Sequence, residues 1–252
     1  MNNLTVAVFR PDDERLAEAV DLLDSLGVNA VADPMLAVEP TGEVPREDAD
    51  YAIVTSKTGV ELVAEEGWKP GAATVCAIGP ATADALSNAG YEVHVVPEEY
   101  TSSGLVEALA DAVDGARVEV ARSNHGSPVL LDGLEAAGAY LHETILYRLI
   151  RPVESGESAE LAADGELDAA CFTSSLTVEH FLAAAADRDV LEEARAGLEG
   201  ATVGVIGEPT RETAASLGVD VDLVSSEATF EALARETVER ARSVEDEGDT
   251  GR

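Results

Sequence analysis

"IGPATADALSNAG" (Ile78–Gly90) and "IGEPTRETAASLG" (Ile206–Gly218) are one phrase written twice in a single chain. Each reads as a strand ending in Ile-Gly, a tight turn, and a helix that opens with Pro and Thr close by. At such a junction the first N–H groups of the helix have no partner within it and point outward. Two copies imply two similar units, and a ligand held from two sides.

The repeat widens around that phrase. "DYAIVTSKTGV" (50–60) matches "DAACFTSSLTV" (168–178), and Val96–Leu105 aligns with Val224–Leu233 at the same offset. "VAVFRP" through "LLDSLG" (6–27) echoes "VEVARS" through "GLEAAG" (118–138). Strand-like runs are expected at 4–9, 50–55, 73–79, 91–96, 117–122, 168–173, 201–206 and 221–224. Helical patterns follow Pro11 and cover 58–66, 80–89, 102–113, 127–137, 175–186, 209–217 and 227–242. Strand and helix in alternation signal parallel α/β sheets.

Two stretches break the alternation. "VNAVADPMLAVEP" (28–40) and "AYLHETILYRLIRPVE" (139–154) are β-prone and lead into no helix-opening turn. Pro34 suits an exposed or edge strand. They read as paired connecting strands. The expected layout is a discontinuous first α/β domain (1–30 with 153–242), linker strands at 31–40 and 139–152, and an inserted second α/β domain at 41–138. A polar tail over 243–252 is expected to be disordered.

The bulk numbers exclude several classes. Hydrophobic residues make up 46% of the 252, enough for real cores. No apolar run approaches about 18 residues, and the N-terminus lacks a signal-peptide pattern, so a cytoplasmic protein is expected. Cys76 and Cys171 lie in apolar runs and read as buried thiols. Fifty acidic residues against sixteen basic ones give a net charge of −34, which argues against nucleic acid and anionic membrane as partners. The acids are spread along the whole chain, as expected of adaptation to molar salt, where the screening length falls to about 3 Å.

Polar residues gather where strands meet helices. Thr55, Ser56 and Lys57 follow one strand, and Thr173, Ser174 and Ser175 follow its repeat. Thr82 and Thr210 lie at the openings of the repeated helices, the latter after Gly207. Arg10, and Arg122 with Ser123 and Asn124, end the remaining pair. Parallel sheets bind ligands at the carboxyl ends of their strands, so anion binding is the functional reading. Simple N-capping is the alternative at each position. There is no G-x-x-x-x-G-K loop, no G-x-G-x-x-G after a strand, and no G-x-S-x-G elbow. The four histidines show no metal-ligand spacing with one another or with the cysteines, so no zinc site is expected. Periodicity alone gives Tyr147 a structural place in the second connecting strand.

Taken in order, "VTSKTGV", "FTSSLTV", "AIGPATADAL", "YTSSGLVEAL" and "TILYRL" resemble the uroporphyrinogen-III synthase family. The opening "FRPDDERLAEAVDLLDSLG" and "VARSNHGSPVLLDGLEAAG" fit as well, so the resemblance covers about residues 4–240. It implies two flavodoxin-like α/β domains joined by a two-stranded ladder, with the active site in the cleft between them. It also implies cyclisation of hydroxymethylbilane, a linear tetrapyrrole rich in carboxylates, with inversion of the last ring and loss of water. The family's important tyrosine falls at Tyr147, and a phenol of ordinary pKa, about 10, can donate a proton at neutral pH. Arg10, Thr55, Ser56, Lys57, Thr82, Arg122, Ser123, Asn124, Ser174, Ser175, Gly207 and Thr210 become candidate substrate-binding residues. The resemblance implies that no metal or organic cofactor is needed, and a monomer is expected, in transient contact with hydroxymethylbilane synthase. Glu208 and Arg211 depart from the family's small or apolar residues, and "EATFEAL" replaces the Tyr-Thr-Ser turn of the other half. The rival reading is a non-catalytic two-domain protein that senses a tetrapyrrole or another polyanion.

Overall fold

A computed structural model describes the backbone over residues 3–250 and side chains over 3–244. The chain divides into unit 1 (Met1–Ala37 with Ile150–Arg252) and unit 2 (Val38–Leu149). Unit 1 opens with β1 (Thr5–Val8), α1 (Glu14–Ser25) and β2 (Asn29–Ala32). Next come β3 (Ala37–Pro40), β4 (Tyr51–Val54), α2 (Lys57–Glu65), β5 (Thr74–Ala77), α3 (Pro80–Asn88), α4 (Ser102–Leu109), β6 (Arg117–Ser123), α5 (Pro128–Ala136) and β7 (Tyr140–Ile150). Unit 1 resumes with α6 (Glu157–Ala163), β8 (Ala169–Phe172), α7 (Ser175–Asp187), α8 (Leu191–Gly200), β9 (Thr202–Val205), α9 (Glu208–Ser216), β10 (Leu223–Val224) and α10 (Phe230–Thr250).

The strand order in unit 1 is β10-β9-β8-β1-β2, with parallel neighbours throughout. Counted within the unit this is the 2-1-3-4-5 order of flavodoxin-like sheets. Unit 2 runs β3-β7-β6-β4-β5. The repeat equates β4 with β8, β5 with β9, β6 with β1 and β7 with β2, and these four strands keep one order in both sheets, while the fifth strand lies at opposite edges, β10 beside β9 and β3 beside β7. The first strand and helix belong with the C-terminal half of the chain.

Short buried strands read as continuous apolar runs because helices cover both faces. In unit 1, Phe9, Phe172 and Phe181 fill one face; the first two stack at 4.6 Å between ring centroids, and Phe181 meets each edge-on at 5.7 Å. In unit 2, Val54, Val75, Leu86 and Leu146 pack under α2 and α3, while Ile53, Leu105, Val120 and Leu134 pack under α4 and α5. Cys76 and Cys171 are free and buried, and burial pushes each thiol up to about 12.

Several elements differ from the sequence reading. The stretch 28–40 is not one strand: it pairs with β1 as β2, breaks, and resumes as β3 beside β7. Pro34 has no N–H to give a ladder. Beside it the buried Asp33 turns its carboxylate to the start of α6, accepting from Gly156 N at 2.7 Å, Ser158 N at 2.9 Å and the Ser158 hydroxyl. β7 is more than a linker, since it pairs in parallel with β6 from Tyr140 to Tyr147. The run 91–96 contributes only a bridge between Val95 and Cys76. Helices α6 and α8 occupy stretches that carry no expected element. The backbone of α10 is helical to Thr250, where a tail from 243 was expected; residues 251 and 252 lie outside the described residues.

Candidate functional site

Each sheet carries its polar residues at the carboxyl ends of its strands. In unit 2, β4 ends in Thr55 and Ser56. The Ser56 hydroxyl caps α2, accepting from Gly59 N at 2.9 Å. The Tyr147 phenol donates to the same oxygen at 3.1 Å. Thr55 N donates to Ala121 O, and Asn124 N donates to Tyr147 O at 3.2 Å, while Asn124 Oδ1 accepts from Leu149 N at 2.8 Å. The structure thus links Ser56, Tyr147 and Asn124 by hydrogen bonds, with Thr55 beside Ser56 at the end of β4.

A β-bulge sets the aim of Tyr147. Arg122 is opposite Ile145 but Ser123 is opposite Tyr147, so Leu146 is an extra residue in β7. Side chains alternate along a strand, and with Leu141 on the α4–α5 face, strict alternation would send Tyr147 there too. The bulge reverses the phase, and Leu146 and Tyr147 both pack on the α2–α3 face. Tyr147 is 7% exposed, in the core and not facing solvent. Gly59 leaves the necessary room: a β-carbon there would stand 3.1 Å from both Leu146 Cδ1 and Ser56 Oγ.

The other candidates in unit 2 divide. Lys57 is exposed and pairs with Glu61 at 3.5 Å, an arrangement worth little in water. Thr82 is buried in the first turn of α3 and Ser123 is half-buried at the end of β6. Arg122 is buried and already engaged: Nε donates to Glu143 Oε1 and Nη1 to Ser127 O, both at 2.6 Å. A β-carbon at Gly126 would stand 2.5 Å from Arg122 Cδ, so the loop is shaped around this side chain.

In unit 1, Ser174 caps α7 in a reciprocal capping box with Thr177. Ser175 Oγ donates to Pro209 O at 3.1 Å and accepts from Thr213 Oγ1 at 2.8 Å, tying the openings of α7 and α9 together. Thr210 is buried in the first turn of α9. Glu208 and Arg211, the departures from the family pattern, pair with each other at 2.6 Å on the surface. Arg10, the repeat counterpart of Arg122, is half-buried and makes no ion pair among the described residues. Its guanidinium lies 5.3 Å from the centroid of Phe230, the residue that stands in the altered "EATFEAL" turn. Desolvation, and then repulsion from Arg15, lower its pKa.

The opening repeat has a distinct property. Gly79 and Gly207 are the N-caps of α3 and α9, and neither helix start receives a side-chain cap, whereas α2, α4 and α7 do. Both copies of the phrase therefore present leading amides not answered by a cap side chain. A separate recess of about 440 Å³, lined by Trp68, Tyr91 and His94, lies at the beginning of β5, at the other end of that strand from Gly79. No group of three or more His, Cys, Asp or Glu among the described residues could hold a metal ion.

Residues 17–235 match the family model described as uroporphyrinogen-III synthase HemD. A putative uroporphyrinogen-III synthase of Methanothermobacter thermautotrophicus is 36% identical over 199 residues, 73% of this chain and 78% of the relative. A uroporphyrinogen-III synthase of Synechococcus elongatus is 25% identical over 84% of this chain and 86% of its own. Among solved structures, a mutant uroporphyrinogen III synthase of Thermus thermophilus shares the fold with a TM-score of 0.66 at 21% identity, covering 95% of this chain and 99% of that one. The Helicobacter pylori uroporphyrinogen-III synthetase gives 0.61 at 15% identity, covering 94% of this chain and 99% of that one.

Proposed function

Because this chain belongs to the uroporphyrinogen-III synthase family, we propose that it closes hydroxymethylbilane into uroporphyrinogen III, inverting the last ring and releasing water. The observation that carries this reading is the pair of polar rims. In a chain of net charge −34, both units keep hydroxyls and uncapped helix starts at their strand ends. Those groups suit a substrate made of pyrroles and carboxylates. In molar salt the acidic surface is screened within a few ångströms, so local donors govern recognition.

The chemistry needs orientation more than acceleration. Loss of the terminal hydroxyl leaves an azafulvene cation. The far ring attacks it through a substituted carbon to give a spirocyclic intermediate, which fragments and recloses with that ring turned over. The proton gained by the departing hydroxyl is balanced by the proton the pyrroles shed on closure. Neither metal nor organic cofactor enters this scheme. The resemblance assigns proton donation to the Tyr147 phenol, and its contact with Ser56 at the rim of unit 2 supports a role at the reacting end. Arg10, which makes no ion pair among the described residues, is the candidate cation for a carboxylate in unit 1; Arg122 is engaged by Glu143.

The reading is tested by feeding porphobilinogen and hydroxymethylbilane synthase to the purified chain and oxidising the products for isomer analysis. Type III uroporphyrin above the level made without the chain supports it. An unchanged isomer distribution overturns it.

A further inference from the structure

We infer that Tyr147 is a positioning residue and that the hydroxyl of Ser56 is the group that touches the substrate's departing oxygen. The inference rests on the synthase reading and changes the part assigned to the phenol. Tyr147 is 7% exposed and packs with Leu146 and Val60 in the core of unit 2. It has one proton to give, and it gives it to Ser56 Oγ. That oxygen also accepts from Gly59 N, so both of its acceptor positions are filled by the protein. The hydroxyl proton of Ser56 is the one member of this chain of donors not directed to a protein acceptor among the described residues. Ser56 is half-buried, at the strand end where α2 begins. Two donors into one hydroxyl oxygen polarise its O–H bond and fix its direction, so Ser56 becomes a better donor than a free serine.

The step balances. The carbon–oxygen bond of the substrate's hydroxymethyl group breaks with its electron pair on oxygen, which takes the Ser56 proton and leaves as water. Ser56 takes the phenol proton, leaving a tyrosinate held in the same hydrogen bond. When the terminal pyrrole closes and loses its ring proton, that proton returns along the same path. The bulge at Leu146 and the bare Gly59 are then understood as the features that let a core phenol reach a rim hydroxyl.

A double-mutant cycle tests this in the full chain in molar KCl. Ser56→Ala is expected to lower kcat about 100-fold, within the range of general acid contributions. Tyr147→Phe keeps the ring in the core and is expected to lower kcat about 10-fold with KM unchanged. Ser56→Thr, which keeps both the hydroxyl and the cap, is expected to recover most of the loss, whereas Ser56→Asp, which caps the helix without a hydroxyl proton, is expected not to. The decisive variant combines Ser56→Ala with Tyr147→Phe. If the phenol acts through Ser56, the pair is no slower than Ser56→Ala alone, within about 3-fold. If the pair falls a further 10-fold or so, the phenol meets substrate itself and the inference is overturned. Full activity of Ser56→Ala overturns it equally. Each comparison starts from wild-type protein that forms type III product, so a failure of the synthase reading would be seen first and separately.

Discussion

Tyr147 and Ser56 stand in hydrogen-bond contact, 3.1 Å between phenol and hydroxyl oxygens, because β7 carries one residue more than β6 at the end of the sheet. A strand with regular alternation would bury the phenol on the opposite face. The contact also depends on the absence of a side chain at Gly59. Gly59→Ala would place a β-carbon 3.1 Å from both Ser56 Oγ and Leu146 Cδ1 and force them to give by a few tenths of an ångström. Stability should change by less than about 1 kcal/mol, since alanine's helix preference offsets the crowding. We expect kcat to fall about 10-fold, because small misplacements of reacting groups are costly. Steady-state kinetics beside a denaturant titration separates the two effects.

The two repeat-related arginines should behave in opposite ways. Arg122→Met leaves the Glu143 carboxylate and the Ser127 carbonyl without their donor. Glu143 keeps some solvent, so the loss should be about 2–3 kcal/mol, below that of a fully buried pair. Arg10→Met breaks no ion pair among the described residues and should leave the unfolding midpoint nearly unchanged while raising KM about 10-fold. Equal destabilisation by both would show that Arg10 too is part of the scaffold.

Asp33 is a structural anchor in unit 1. Its carboxylate takes three donors at the start of α6, on the far side of the sequence from it. Asp33→Ala should cost about 3 kcal/mol by leaving those donors unanswered, and Asp33→Asn, which retains an acceptor, roughly half of that. Urea denaturation of both variants checks the order.

Each unit holds one buried thiol, Cys171 in unit 1 and Cys76 in unit 2, each with its pKa pushed up to about 12 by burial. A folded-state pKa above the unfolded value, about 8.5, means the stabilisation is complete below that value. It is lost as pH rises from there towards about 12. The unfolding midpoint should therefore fall between pH 8 and pH 10.5, and both thiols should resist labelling while folded. Self-repulsion at net charge −34 predicts that transfer from molar KCl to dilute buffer exposes them. Equal labelling rates in both buffers would contradict that prediction.

How much of this was legible in the sequence depends on range. The repeated Ile-Gly phrase and its neighbours specify local strand–turn–helix units, and the four strands they equate keep the same order in both sheets. Helix caps such as Ser56 and Ser174 are short-range features and could be read directly. The bulge at Leu146 could not, because it is a relation between two strands and the partial alternation of 139–154 does not mark where the register shifts. The engagement of Arg122 by Glu143 is likewise a cross-strand matter. Asp33 looked like part of a connecting strand because its partners, Gly156 and Ser158, lie far along the chain. Helix α8, by contrast, had a signal that the sequence reading passed over: the acidic first turn of "LEEARAGLEG", with buried Ala194 and Leu198 at helical spacing.

The most direct test gives hydroxymethylbilane to the purified chain in molar KCl, then oxidises and separates the uroporphyrin isomers. The account predicts that type III dominates with wild-type protein and that Ser56→Ala returns the mixture towards the uninverted type I formed in buffer alone. Type I product from wild-type protein, in the proportion seen without it, would contradict the account at its root.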